Sequence, residues 1–266
     1  MKFSTLSLFL LFFSASTFGQ TSIQDEIRVG DGIAAPHSSL GVLHNPAGLV
    51  HLDGPGASVF YYNEFASPLN TNGHIGFMGE WGNRDIGFSA AYIYAMARYF
   101  SGAMTFGGAA HLRPLATAFG LSALYRSADG DFSLMAGALI NPEGGFRVGL
   151  NVPISLSSSS VPAFGVGFAI VASQHFGFIL DTSFGTRLNS YGAKPGIQLT
   201  FGQFTGSFAW GYTGGRGGGA QAATLIRNGI TVDFAFRAFK YFGLELNVER
   251  GGGLRNFATL RLFGTF

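Results

Sequence analysis

The sequence contains no cysteine and few charged residues. Without cysteine, none of its 266 residues can form a disulfide, so stability has to come from backbone pairing and burial. Asp, Glu, Lys and Arg make up only 11% of the chain, against about 25% in a typical soluble domain. The net charge of +2 is spread along the chain without a basic cluster, which excludes the usual kind of nucleic-acid-binding surface. With 47% hydrophobic residues, the chain suits a membrane better than water.

Long hydrophobic runs are also missing after residue 20. A membrane-spanning helix needs about 20 consecutive, mostly apolar residues, and no later stretch approaches that length. Inside a bilayer every backbone N–H and C=O must be paired within the protein, which only helices and closed β-barrels achieve. The sequence therefore predicts an all-β fold, namely a transmembrane antiparallel β-barrel in contact with the lipid of a bacterial outer membrane.

The N-terminus has the three parts of a secretory signal. Lys2 gives a positive charge, residues 6–13 form a short apolar run, and residues 14–19 are mostly small. An anchoring helix is the weaker interpretation, because the run is shorter than the roughly 20 residues that cross a bilayer. We therefore expect residues 1–19 to be a signal peptide that is cleaved after Gly19.

Apolar residues alternate with small or polar residues along most of the remaining chain. Residues 86–92, 164–170, 204–212 and 242–249 show this pattern most clearly. A period of two places successive side chains on opposite faces of a β-strand. The face rich in Phe is expected to contact lipid, and the face rich in Gly, Ala, Ser and Thr is expected to line the interior.

Turn signals rich in Gly and Asn divide residues 57–266 into about 14 strands, with 12 as the main alternative. A soluble β-sandwich is the competing interpretation. It would have to expose the face of small residues to water, yet that face carries few charges. The expected organisation is a signal peptide over residues 1–19, an N-terminal plug segment over residues 20–56, and the barrel over residues 57–266.

The last predicted strand ends in Phe266, with Leu260 and Leu262 on the same face. This ending resembles the C-terminal signal through which outer-membrane proteins are recognised by the barrel-assembly machinery. The resemblance implies that this machinery is a partner of the chain during biogenesis.

A second short pattern precedes the barrel. Asn45, Pro46, Ala47, Gly48 and Leu49 resemble the N-terminal motif of the FadL-like transporters of hydrophobic compounds and of the related PorV-like barrels. The resemblance implies a 14-stranded barrel whose lumen holds an N-terminal plug. The residue types are compatible with a compact plug, since Asn45 can cap a turn, Pro46 fixes φ at its first position and Gly48 permits close packing.

The alternation also predicts which side chains line the lumen. Charged residues near the C-terminus are expected to face inward, since a charge on the lipid face costs about 2–4 kcal/mol near the bilayer midplane. They either brace the wall, or line a conduit and grip the plug. This polar cluster comprises Asp233, Arg237, Glu245, Glu249, Arg255 and Arg261. An apolar part of the inner wall is expected from Met135, Leu139, Val171 and Ile179.

The sequence shows no catalytic or metal-binding pattern. Its six His residues lack metal-ligand spacing, and no acid, base and nucleophile cluster at one predicted rim. We therefore expect neither enzymatic activity nor a cofactor. The leading hypothesis is passive transport of small hydrophobic, fatty-acid-like molecules through a plugged lumen. Two alternatives stay open: a non-transporting barrel that serves assembly or surface anchoring, and a narrow general porin.

Overall fold

The computed structural model describes most of the barrel and two pieces of the N-terminal segment. The described ranges are 33–34, 45–64, 73–95, 102–127, 130, 132–155, 164–173, 175–185, 190–201, 204–215, 229–239, 242–251 and 256–265. The predicted signal peptide, and Phe266 with its predicted role in assembly, lie outside these ranges.

Fourteen β-strands and two short 3-10 helices are found in the described part of the chain. The strands are β1 (Asp53–Glu64), β2 (Gly73–Asn83), β3 (Ile86–Ala95), β4 (Gly102–Leu112), β5 (Thr117–Arg126), β6 (Phe132–Ile140), β7 (Phe146–Ser155), β8 (Phe164–Ser173), β9 (Phe176–Phe184), β10 (Ser190–Phe201), β11 (Phe204–Gly215), β12 (Gly229–Phe239), β13 (Phe242–Gly251) and β14 (Asn256–Thr265). The 3-10 helices are Pro46–His51, before β1, and Arg113–Leu115, between β4 and β5. Neither is long and apolar enough to cross a bilayer.

Each strand is antiparallel to its neighbours in the sequence, and β1 also pairs with β14. The β1–β14 register runs from Gly56 opposite Thr265 to Glu64 opposite Phe257, which joins the two ends of the sheet. Such a ring has no free strand edge, so the backbone groups of every strand find partners within the sheet. The antiparallel all-β class predicted from the alternation is confirmed.

The connections differ between the two ends of the barrel. Where β1 begins, neighbouring strands are joined by few residues: 84–85 join β2 to β3, and 202–203 join β10 to β11. We call this the short-turn end. At the opposite end the connections are longer, up to residues 216–228 between β11 and β12. Outer-membrane barrels place short turns on the periplasmic side and long loops outside, which gives this barrel its expected orientation.

The two faces of the sheet differ in the way the alternation predicts. Phe88, Phe106 and Trp210 point outward and expose more than half of their surface. Neighbouring residues of opposite parity, such as Ser89 and Thr105, point inward and are buried. A large exposed apolar surface is unusual for a protein in water and is what lipid tails require. The chain therefore folds with its apolar face outward.

Candidate functional site

A piece of the N-terminal segment lies inside the barrel near the short-turn end. Residues 45–50 are buried, and the 3-10 helix Pro46–His51 packs against the inner faces of β2 to β6. Local sequence explains this helix. Pro46 occupies its first turn, and the side chain of Asn45 caps it by accepting a hydrogen bond from the N–H of Ala47 at 3.1 Å. We call residues 45–51 the inner segment.

Asn45 also connects the inner segment to its surroundings. Its Nδ2 donates to the carbonyl of Ile33 at 2.7 Å and to the carbonyl of Ala138, on β6, at 3.0 Å. The side chain is completely buried. The side-chain amide of Asn45 therefore caps the helix, holds the carbonyl of Ile33 and binds the barrel wall. A side chain that only accepts hydrogen bonds, or an apolar one, could not make all three contacts.

The wall beneath the inner segment is built from small residues. Gly82, Gly87, Ala109, Gly120 and Gly137 follow one another across five strands, each directly opposite the next in the register. We call this set the glycine row. Its glycines are required by close approach: a Cβ on Gly87 would overlap the carbonyl of Leu49, and one on Gly120 would overlap the backbone between Pro46 and Ala47. The glycine row therefore lets the backbone of the inner segment lie flat on the wall.

Ile33 and Ala34 make a second contact with the wall, further around the ring. A Cβ on Gly149 or Gly167 would overlap their backbone. The N–H of Ile33 donates to Oδ1 of Asp181, on β9, at 2.9 Å. With its carbonyl held by Asn45, Ile33 is fixed through both backbone groups.

Asp181 lies directly opposite Lys194 of β10, and both side chains are buried in the interior. Placing opposite charges on facing positions offsets part of the cost of burying each one. Sequence analysis did not select these two residues. The sequence places an acidic and a basic residue at inward positions of consecutive strands. Only an accurate strand register would have shown that the two residues face each other.

The predicted apolar wall is placed as follows. Met135 and Leu139 are buried at inward positions of β6, and Ile179 is partly buried against Ala34 and Ala169. Val171 keeps the inward register, opposite the buried Gly177 of β9. It lies near the end of β8, just before the register with β9 shifts, and 42% of its surface is exposed. Its part in an apolar wall stays a prediction.

The predicted polar cluster is placed through its backbone only. Glu245 lies opposite Arg261 across β13 and β14, and Asp233 lies opposite Ser207 across β11 and β12. Arg237 belongs to β12 and Glu249 to β13. Their side chains, and Arg255 altogether, lie outside the described residues. A role of this cluster in bracing the wall or lining a conduit stays a prediction.

The inner face of β1 to β3 carries large apolar side chains that sequence analysis did not assign. Phe60, Met78 and Ile93 are each at most 1% exposed. Phe60 is an exception to the outward orientation expected for phenylalanine. Gly76 lies opposite it on β2, and a Cβ there would overlap the Phe60 ring, so this glycine leaves the space that the ring occupies. The interior on this side therefore combines large apolar side chains with buried polar ones, among them Ser58 and Glu80.

Pairing between β10 and β11 is interrupted in the middle of both strands. The register passes from Ala193 opposite Tyr212 to Gly196 opposite Ala209, leaving out the two positions between them. Pro195 lies in this gap and has no N–H to donate. A small cavity at the same place is lined by inward residues of β9 to β11 and by outward residues of β10 and β11. Its lining includes Asp181, Lys194, Ser207, Ile197 and Phe208. The ladder between β10 and β11 is thus interrupted at this point.

The short-turn end carries an exposed ion pair. Nε of Arg113 lies 2.5 Å from Oδ1 of Asp85, which ties the turn between β2 and β3 to the turn between β4 and β5. This hydrogen bond and the nearby carboxylate raise the pKa of Arg113 above its ordinary value.

No group of three or more potential metal ligands is found among the described residues.

Solved outer-membrane barrels share this fold at very low sequence identity. The Ralstonia pickettii toluene transporter TbuX is 10% identical, with a TM-score of 0.57 over 93% of this chain and 97% of its own. The monoaromatic hydrocarbon channel CymD is 9% identical, with a TM-score of 0.57 over 89% and 94%. The Acinetobacter baumannii outer membrane protein Omp33 is 12% identical, with a TM-score of 0.54 over 80% and 97%.

No protein-family model and no curated protein matches the sequence. The structural likeness establishes the fold as that of a bacterial outer-membrane β-barrel. This agrees with the location in the outer membrane that the sequence predicts.

Proposed function

We propose that this chain is a 14-stranded, plugged outer-membrane barrel of FadL-like type that lets small hydrophobic molecules cross passively. One observation carries the proposal: a buried inner segment rests on the glycine row and is bound to the wall by the side-chain amide of Asn45. Hydrogen bonds of this kind can be broken and remade without unfolding the barrel, as a plug that opens requires. TbuX, a toluene transporter, and CymD, a hydrocarbon channel, share the fold and are in keeping with this function.

The character of the interior supports a hydrophobic solute. Phe60, Met78, Ile93, Met135 and Leu139 bury their side chains on the inner face. These side chains offer contact area to an apolar solute and no ligands to an ion. The inner segment lies towards the short-turn end, so it would regulate the periplasmic end of the path.

The gap between β10 and β11 is the proposed exit through the wall. It joins inward residues such as Ser207 to outward residues such as Phe208. A solute leaving there would pass from the apolar interior to lipid without entering water. Lys194 and Asp181 lie beside it, and Asp181 also accepts a hydrogen bond from Ile33, so plug position and exit would be coupled.

Uptake of toluene into vesicles containing the purified barrel tests the proposal. Gly120→Ala places a methyl group against the backbone of the inner segment, so it should displace that segment and raise the rate of uptake several-fold. Gly145→Ala is the matched control, because its Cβ would make only an ordinary contact at 3.6 Å. Equal rates for both variants and the unaltered protein, with folded barrels, would argue against gating.

The same vesicles separate the other functions. If toluene does not enter, and a partner protein copurifies in stoichiometric amount, the barrel serves assembly or anchoring. If ions conduct freely through the unaltered barrel, it is a general porin. Comparing toluene with a long-chain fatty acid decides the solute class within the transport proposal.

A further inference from the structure

We infer that the inner wall of β3 and β4 carries a binding niche for neutral solutes that bear a hydroxyl group on a small apolar body, as phenols do. The niche is formed by Ser89 and Ala91 on β3 and by Thr105 and Gly107 on β4. This inference rests on the proposed transport function, which it narrows to a solute class.

The register fixes the shape of the niche. Ser89 lies opposite Gly107, and Ala91 lies opposite Thr105, so the four residues form a square with hydroxyl groups on one diagonal. Diagonal neighbours on one face of a sheet are about 7–8 Å apart. The other two corners hold Ala and Gly, the smallest side chains. The wall between the two hydroxyl groups therefore carries little side-chain bulk.

The niche presents two hydroxyl groups. Glu80 of β2, which is 3% exposed, lies opposite Ser89, and its carboxyl group disfavours an anionic solute. Ser89 is 5% exposed and Thr105 is 1% exposed, and neither hydroxyl oxygen has a hydrogen-bond partner among the described residues. A buried hydroxyl without a partner destabilises a fold, and a hydroxyl can both donate and accept. A passing solute with its own hydroxyl would satisfy these groups, whereas a bare hydrocarbon would not.

The residues around the niche indicate what kind of apolar body the solute should have. Met78 lies opposite Ala91 on one side, and Leu124 lies opposite Thr105 on the other. Both side chains are buried and point inward. Flexible and branched apolar side chains on two sides suit an aromatic or short aliphatic body. Ser58 places a third buried hydroxyl on the same inner face, next to Met78.

Uptake of p-cresol and toluene into vesicles tests the niche, since p-cresol differs from toluene by one hydroxyl group. The double variant Ser89→Ala with Thr105→Val removes both hydroxyl groups and keeps the shape of the wall. We expect it to lower the ratio of p-cresol to toluene uptake about tenfold, which is the effect of losing one to two hydrogen bonds. Toluene uptake should be unchanged.

The matched control is Thr205→Val with Ser133→Ala, the same two changes at inward positions of β11 and β6 on other parts of the wall. It should leave the ratio as in the unaltered protein. An unchanged ratio in the Ser89 and Thr105 variant, or an equal loss in the control, overturns the inference even if transport itself stands.

If neither solute enters, the transport function fails and the niche is judged by binding. Titration of p-cresol into the barrel in lipid nanodiscs, with empty nanodiscs subtracted, should then show saturable binding that the Ser89 and Thr105 variant weakens about tenfold. Equal binding by the variant and the unaltered barrel overturns the inference.

Discussion

Single residues decide how the N-terminal segment is held in this barrel. The positions that matter are glycines, where an added carbon would meet backbone, and one asparagine, which both accepts and donates. Gly120 and Asn45 illustrate the two cases. Neither residue contributes much apolar area. Gly120 matters because it leaves space for the backbone of the inner segment, and Asn45 matters because of its hydrogen-bond geometry.

Asn45→Ala should loosen the inner segment without opening the barrel. Loss of a helix cap costs about 1 kcal/mol, and loss of each further hydrogen bond costs about 0.5–1.5 kcal/mol. Because the chain has no cysteine, Leu49→Cys gives a single reporter at a position that is 2% exposed. Reaction of this thiol with a water-soluble maleimide should accelerate more than tenfold when Asn45→Ala is added.

Asn45→Asp distinguishes the role of this side chain as a helix cap from its role as a hydrogen-bond donor. Asp caps helices as well as Asn does, but it has no N–H groups for the carbonyls of Ile33 and Ala138. A buried carboxylate facing two carbonyl oxygens is also repelled. We expect labelling of Leu49→Cys to be at least as fast as in Asn45→Ala. Labelling at the unaltered rate would mean that the cap alone holds the segment.

The elements show what the sequence alone could predict. The alternation predicted the outward and inward faces correctly at Phe88 and Ser89, because a strand exposes its period directly in the sequence. It could not locate the glycine row, since cross-strand neighbours such as Gly120 and Gly137 depend on register. The exposure of Val171 near the end of β8 could not be predicted either, because the alternation indicates which face a residue is on and not its depth along the barrel.

Pro195 controls the weak point between two elements. Pro195→Val would supply the missing N–H and favour continuous pairing between β10 and β11. We expect slow hydrogen exchange at the new amide and lower toluene uptake, if solute leaves by this gap. Leu199→Val, four residues away on a paired position that does not line the cavity, is the control and should change neither quantity. If β10 and β11 become continuously paired and toluene uptake does not fall, the solute does not leave by this gap.

The whole molecule is organised as an apolar exterior around a filled interior. In water such a surface would drive association, whereas in a bilayer it is the condition for stability. The structure has the fold of channels that cross an outer membrane. The preference of the outer face for lipid over water can be measured by substituting single residues on that face.

Leu121→Arg and Leu115→Arg place the same charge at two depths. Both leucines are exposed, at 53% and 65%, but Leu121 lies within β5 and Leu115 in the turn before it. In the bilayer Leu121→Arg should lower the free energy of unfolding by about 2–4 kcal/mol, and Leu115→Arg by about 0–1 kcal/mol. Urea unfolding of the barrel in lipid vesicles measures both. Equal, small effects would contradict the assignment of the outer face to lipid.

Pairing of β1 with β14 has a consequence for how the chain assembles. The residues just before β1 are buried inside the ring that this pairing closes. Closing the ring and seating the inner segment therefore both depend on where β1 and the residues just before it are placed.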